Sequence, residues 1–192
     1  MLTSITPLGE RGRGQTWGIT ATALTLGHFV GGAALGGLLA LAALGVEAVG
    51  GVSASSAAVA VAGAATLAVV GDLAGLALPG RRQVDERWLN TYRGWVYGLG
   101  FGVQLGFGFV TVINTLLFAA LVVTAPLLGP TPAFAIGVVY GAGRAAMALL
   151  SVRVASIAQL KALHRRLDEA DQAIRFVSSG LIVAAGLLVV AV

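Results

Sequence analysis

Cysteine is absent from the sequence, and charged residues are scarce. Without a thiol, the chain can form no disulfide, no thiolate metal site and no dithiol redox pair. Only 10% of the 192 residues are charged and 57% are hydrophobic, whereas a typical soluble domain has about 25% charged residues. A chain of this composition has too little polar surface to face water, so we expect the lipid bilayer to surround it.

The sequence also lacks the motifs that bind metals, cofactors or nucleic acids. Its two histidines, His28 and His164, differ in expected depth by roughly 20 Å, so they cannot hold one haem from both sides. No histidines and carboxylates have the spacing of a metal site, and the glycine-rich run at 98–103 does not follow a strand. The net charge of +4 is small and spread along the chain. We therefore predict no metal, no cofactor, no nucleic-acid partner and no enzymatic activity.

Long apolar runs predict an all-α fold, a polytopic transmembrane helical bundle that forms a single domain over residues 1–192. Residues 1–15 are polar and are expected at the cytoplasmic surface. The five expected spans are Thr16–Gly45, Ala57–Leu78, Trp95–Ala125, Ala133–Leu167 (whose end extends beyond the membrane) and Phe176–Val192. As one helix, the third would be about 46 Å long, against about 30 Å of hydrocarbon. It must tilt or break, and a break near Asn114 would give a six-element variant with a re-entrant segment.

The distribution of basic residues predicts the orientation of the chain. The connections at 46–56 and 126–132 contain no Lys or Arg, while ten of the twelve basic residues fall in three other segments. These ten are Arg11, Arg13, Arg81, Arg82, Arg87, Arg93, Lys161, Arg165, Arg166 and Arg175. Because basic residues accumulate on the cytoplasmic side, we expect the N-terminus inside and the C-terminus outside. The predicted location is the plasma (inner) membrane of a bacterium, as a multi-pass protein.

Glycines recur at every fourth position of the third span, at Gly94, Gly98, Gly102 and Gly106. This spacing is typical of a helix that another helix approaches closely in lipid. The alternative is that this glycine face contacts another molecule, either a membrane protein partner or a second copy of the chain. A small, polar face of the same span predicts either the lining of a polar path or a helix contact; its residues are Gln104, Gly108, Thr111 and Thr115.

Five polar side chains within the expected spans form the predicted substrate site: Arg153, Asp72, Gln104, His28 and Arg144. Counted from the cytoplasmic ends, the first four lie about 12–17 Å deep. Because charged groups are costly at such depth, we expect Asp72 and Arg153 to form an ion pair, with His28 and Gln104 lining the same cavity. Two interpretations stay open: a site that binds an anion or relays a proton, and an ion-pair clamp that only fixes helix packing.

Arg144 lies deeper, about 25 Å from the cytoplasmic end of its helix, and no span places an acidic residue at that height. Glu47, Asn114 or a bound anion is the expected compensation for its charge. The alternative is that its side chain extends to the outer headgroups.

The segments G-F-G-V-Q-L-G-F-G-F-V-T at 100–111 and G-A-G-R-A-A-M-A-L-L-S-V-R at 141–153 resemble parts of small bacterial membrane proteins. These proteins are grouped near the DsbD/CcdA cytochrome-biogenesis and sulfite-exporter-like families. The resemblance implies a compact helical bundle with repeated hairpins and a general transport role. The thiol relay of DsbD/CcdA needs a cysteine pair, so that function does not carry over to this chain.

Together these features predict an integral membrane protein that transports a small solute or anion, or the membrane subunit of such a transporter. Arg153 and Arg144 would attract the anion, and Asp72 would hold Arg153 or carry a proton. The alternative is a non-catalytic structural or accessory subunit of a larger membrane complex. A membrane redox protein with haem or quinone is the least supported hypothesis.

Overall fold

A computed structural model of the protein describes residues 5–76, 87–109, 115–167 and 169–170, except for the side chain of Arg153. Every regular element in these ranges is a helix, which confirms the all-α prediction. The α-helices are α1 (Pro7–Gly12), α2 (Trp17–Ala48), α3 (Ala54–Leu73), α4 (Trp88–Thr91), α5 (Gly94–Phe107), α6 (Leu116–Thr124) and α7 (Pro130–Leu149). Two 3₁₀ turns, Ala125–Leu128 and Leu150–Arg153, extend α6 and α7, and residues 157–167 are also helical.

Within the described ranges, three segments are long and apolar enough to cross a membrane: Trp17–Ala48, Ala54–Leu73 and Pro130–Val152. They correspond to the first, second and fourth expected spans. Large apolar side chains point outward along them, with Leu67 and Val139 about 70% exposed, at 74% and 69%. Such surfaces suit contact with lipid. The fifth expected span, at 176–192, lies outside the described residues, and the count of five spans and the orientation stay predictions.

Local chemistry explains where α3 begins and ends. The Ser53 hydroxyl accepts a hydrogen bond from the Ser56 N–H (3.1 Å), so the helix begins three residues before the predicted start at Ala57. At the other end Gly75 adopts φ +77°, and the Leu76 N–H donates to the Gly71 carbonyl (2.9 Å). This arrangement is a Schellman cap, and it ends the helix at Leu73 rather than at the predicted Leu78.

The third expected span is interrupted. Helix α5 ends at Phe107, because Gly108 has φ +83°, a conformation that only glycine adopts readily. The next helix, α6, begins at Leu116, and the Thr115 hydroxyl caps it by accepting from the Leu117 N–H (3.1 Å). Residues 110–114, including the predicted break at Asn114, lie outside the described part. A single continuous helix from Trp95 to Ala125 is therefore wrong, and so is the single helical face predicted to run from Gln104 to Thr115.

Contacts within the chain group into two compact units. The first unit comprises Met1–Leu35, Arg82–Thr111 and Val138–Asp171, and the second comprises Gly36–Arg81, Val112–Gly137 and Gln172–Val192. Helices α2 and α7 each contribute residues to both units. That residues 1–192 form one transmembrane domain stays a prediction.

In the first unit, α5 packs against α2 through glycines. A Cβ atom built on Gly102 would lie 2.8 Å from the Gly27 Cα, and one on Gly106 would lie 2.8 Å from the His28 Cα. The backbones approach so closely that neither position has room for a side chain. The predicted close helix contact is therefore present within the chain. Beside it lies an apolar core of buried side chains: Ile5, Leu24, Leu89, Tyr97 and Phe101.

In the second unit, α3 packs against α6 and the 3₁₀ turn that follows it. Gly71 lies under the Leu116 side chain, and Gly36 of α2 lies against the Phe134 backbone of α7. Small residues thus allow close approach in this unit as well.

Candidate functional site

His28 lies where three helices of the first unit meet. Its side chain is 1% exposed, and its Nδ1 atom lies 2.7 Å from the Leu24 carbonyl oxygen one turn earlier on α2. Gly106 of α5 and Gly141 of α7 both pack against the His28 backbone. Because glycine has no side chain, α5 and α7 can pack directly against the backbone of the histidine. The glycine spacing alone did not identify His28 as the residue they contact.

Arg144 follows Gly141 by one turn on α7 and lies near the same histidine. Its charge acts electrostatically on the His28 and Tyr140 side chains, and the residue is half-buried. The acidic side chains described in the first unit are used elsewhere: Glu10 pairs with Arg13 and Glu169 with Arg165. Among the described residues of this unit, Arg144 therefore forms no ion pair with a carboxylate.

Gln104 is the third predicted site residue in the first unit. It is half-buried on α5, two residues before Gly106, and its backbone carbonyl accepts from the Gly108 N–H (3.2 Å) at the end of the helix. The structure thus places His28, Gln104 and Arg144 on the three helices that pack together in this unit. That their side chains line one cavity stays a prediction.

Asp72 belongs to the second unit and is bound by α6. Its Oδ2 accepts from the Thr115 hydroxyl (2.5 Å), and its Oδ1 accepts from the Leu116 N–H (2.7 Å). The carboxylate therefore supplies acceptors to the first turn of α6, where backbone N–H groups have no partner inside the helix. Arg153 ends the second 3₁₀ turn, but its side chain lies outside the described part. The ion pair between Asp72 and Arg153 stays a prediction.

A buried carboxylate that the sequence analysis missed lies at Glu10, in the segment expected at the surface. Glu10 is 0% exposed, although the polar composition of this segment gave no indication of a buried side chain; the cytoplasmic position of the segment stays a prediction. Its Oε1 pairs with the Arg13 guanidinium (2.5 Å), and its Oε2 accepts from the hydroxyls of Thr20 (2.6 Å) and Tyr97 (2.5 Å). We call these four residues the Glu10 cluster. It joins α1 to α2 and α5 within the first unit.

The Glu10 cluster holds Arg13 in its charged form. Burial of the guanidinium opposes ionisation, but hydrogen bonds and charge from Glu10 and Tyr97 outweigh burial and raise the pKa of Arg13 above its ordinary value. The guanidinium carbon also lies 5.9 Å from the centre of the Tyr97 ring. A usable sequence signal was Thr6-Pro7, since Thr followed by Pro is typical of a helix start and places Glu10 in the first turn.

No group of three or more His, Cys, Asp or Glu side chains in the described ranges comes together as a possible metal site. The fold and these sites define the chain as an all-helical, membrane-associated protein, with three helices suited to a bilayer in the part of the chain that the structure describes. Comparison of the chain with family models, curated proteins and solved structures finds no match. The relationship to the DsbD/CcdA and sulfite-exporter-like families stays a prediction.

Proposed function

We propose that this protein binds a small inorganic anion beside Arg144 and His28 and transports it across the membrane. The observation that carries the proposal is a half-buried arginine one turn from the contact that Gly141 makes with the backbone of the buried His28, in a unit whose described carboxylates are paired with other residues. Both side chains lie on helices that are apolar and long enough to cross a bilayer.

The charge of Arg144 is unfavourable in an apolar helix unless another group compensates it. An arginine at the centre of a membrane helix costs about 2.5–3.5 kcal/mol even on the insertion scale, which is the most lenient one. Glu10 and Glu169 each have a basic partner of their own, so they supply no compensating charge to Arg144. A bound anion supplies it directly.

We further propose that His28 takes up a proton when the anion binds. Its Nδ1 donates to the Leu24 carbonyl, so Nε2 is the nitrogen that accepts a further proton. A negative ion beside the ring favours the doubly protonated form, because opposite charges attract. Among the described residues, the charged group that acts on the ring from α7 is Arg144, which also acts on Tyr140 of the same helix. We therefore expect anion uptake to be accompanied by proton uptake, and to be faster at pH 6 than at pH 8.

The test is anion flux into proteoliposomes, measured with a panel of inorganic anions: chloride, nitrate and sulfite. Arg144→Gln should reduce the flux of the transported anion at least about tenfold, since it removes the attracting charge. Arg165→Gln is the matched control, because it removes the same charge from an exposed ion pair and should leave flux unchanged. The proposal fails if the wild type moves none of these anions faster than empty liposomes, or if Arg144→Gln moves them as fast.

A second candidate is the accessory subunit of a larger membrane complex. It is favoured by Asp72, a predicted site residue whose carboxylate is engaged in capping α6 rather than facing a ligand. Under this hypothesis, the wild type carries no solute, and Arg144→Gln changes only co-purification with a partner protein. The proteoliposome assay and a co-purification experiment on the same two variants separate the candidates.

A further inference from the structure

A cavity of about 340 Å³ lies within the second unit, where the end of α2, the start of α3 and the 3₁₀ turn Ala125–Leu128 come together. Its size is in the range of small-molecule sites. The lining is mostly apolar, and one lining residue is charged. The lining residues are Val46, Glu47, Gly51, Val52, Ala54, Ala57, Ala58, Pro126, Leu127, Leu128 and Gly129.

The cavity carries a negative charge that no Lys or Arg in the described part of the second unit compensates. Residues 36–76 and 115–137, which are the described part of the second unit, contain no Lys or Arg. Their two acidic residues are Glu47 and Asp72, and Asp72 accepts hydrogen bonds from neutral donors on α6. The Glu47 Oε1 lies 3.7 Å from the position that a Cβ on Gly129 would occupy, so the carboxylate lies beside the cavity wall.

The end of α2 adds to this negative potential. Val46 and Glu47 are in the last turn of a 32-residue helix, whose C-terminal carbonyl groups carry a partial negative charge of about half an electron. The Val46 carbonyl accepts from Gly51 N–H (2.9 Å), which folds the connection back over this end of the helix. A cation bound here would therefore interact favourably with both the carboxylate and the helix end.

We propose that this cavity binds a small, soluble organic ammonium ion with an apolar substituent. The ammonium group would lie at Glu47, and the substituent would contact the valine, alanine and leucine side chains. The proposal does not depend on anion transport, because it concerns other residues in another unit.

An ammonium group of this kind has two sources, a soluble organic ammonium ion and the ethanolamine headgroup of a lipid. The lipid headgroup brings a phosphate close to its ammonium, and that phosphate would lie near Glu47 without a Lys or Arg from the described second unit to accept it. Repulsion between the two negative groups disfavours the lipid. The structure therefore favours the soluble ammonium ion.

The test is equilibrium binding of benzyltrimethylammonium to the full-length protein in nanodiscs of phosphatidylcholine, with benzenesulfonate as a ligand of similar size and opposite charge. Glu47→Gln should weaken binding of the cation roughly twofold to fivefold, as expected for one exposed, partly hydrated charge pair. Glu169→Gln is the matched control, since it removes the same charge from an exposed position outside the cavity and should not change binding.

A second variant tests the cavity without changing its charge. Ala58→Leu fills space in the lining and should weaken binding of the cation, while size-exclusion chromatography reports whether the protein stays folded. The proposal is overturned if Glu47→Gln binds the cation as tightly as the wild type, or if benzenesulfonate binds equally well. It is also overturned if phosphatidylethanolamine in the nanodisc displaces the cation, because the occupant would then be a lipid.

Discussion

Replacing Gly102 by alanine should destabilise the contact between α2 and α5. The new Cβ would lie 2.8 Å from the Gly27 Cα and 2.9 Å from the His28 backbone nitrogen, whereas ordinary contacts begin at 3.4 Å. The difference between 3.4 Å and 2.8 Å means that the helices must separate by at least 0.6 Å. A gap of 0.5–1 Å removes roughly a quarter to a half of the dispersion energy of the contacts that it opens.

The size of the effect follows from two opposing terms. Overpacking a close contact typically costs about 1–3 kcal/mol, and replacing glycine by alanine inside a helix returns roughly 0.5–1 kcal/mol. We therefore expect Gly102→Ala to lower the free energy of unfolding by about 1–2 kcal/mol. The measurement is reversible unfolding in mixed micelles by a denaturing detergent, followed through tryptophan fluorescence.

Gly143→Ala is the matched control, because Gly143 also lies in a helix but has nothing within 4 Å of its Cβ position. It should leave the free energy of unfolding unchanged or raise it slightly. If Gly102→Ala and Gly143→Ala changed the free energy of unfolding by the same amount, contact between the backbones would not be the cause, because only Gly102 makes such a contact.

Two further predictions concern the carboxylates of Glu10, which is buried, and Asp72, which is half-buried. Glu10→Ala leaves the partly buried Arg13 without its ion-pair partner and should lower the free energy of unfolding by about 3 kcal/mol, measured by the same denaturation. Glu169→Ala, which breaks an exposed ion pair, is the control. If Glu10→Ala lowered the free energy of unfolding no more than Glu169→Ala does, the role of the Glu10 cluster would be contradicted. Asp72→Ala removes both acceptors from the first turn of α6 and should cost about 1–2 kcal/mol, whereas Asp72→Asn, which keeps one acceptor, should cost less. Hydrogen exchange at the Leu116 amide should rise in Asp72→Ala, and an unchanged rate would refute the capping role.

The helical class and a close helix contact at the glycine face of α5 could be predicted from the sequence because they depend on local pattern. Long runs without charge indicate helices in lipid, and glycines four residues apart share one helix face. In the structure, that face contacts α2. The spacing of Gly102 and Gly106 does not specify which helix is the partner, because the partner depends on the tertiary fold.

The interruption after α5 was harder to place, because glycine is tolerated inside membrane helices and also ends helices. Gly102 lies within α5 and Gly108 ends it, although both are surrounded by apolar residues. The difference is the φ of +83° at Gly108, which depends on surroundings that one sequence does not reveal.

The sequence specifies the site least, because polar residues can be placed only by depth along single helices. Depth grouped Asp72 with Arg153, a pair that stays a prediction, and did not indicate that the Asp72 carboxylate binds the first turn of α6. Glu10 was missed for the converse reason: a polar segment of 15 residues gives no sign that one of its side chains is enclosed by Thr20 and Tyr97.

The contact between Asp72 and Thr115 joins residues 43 positions apart, and this separation has a consequence during synthesis. At about 5–20 residues per second, the ribosome makes Thr115 roughly two to nine seconds after Asp72. For that interval the aspartate of the nascent chain has neither Thr115 nor the Leu116 amide to bind. The two segments therefore assemble only when the later one emerges, so α3 cannot reach its final hydrogen-bonded state alone.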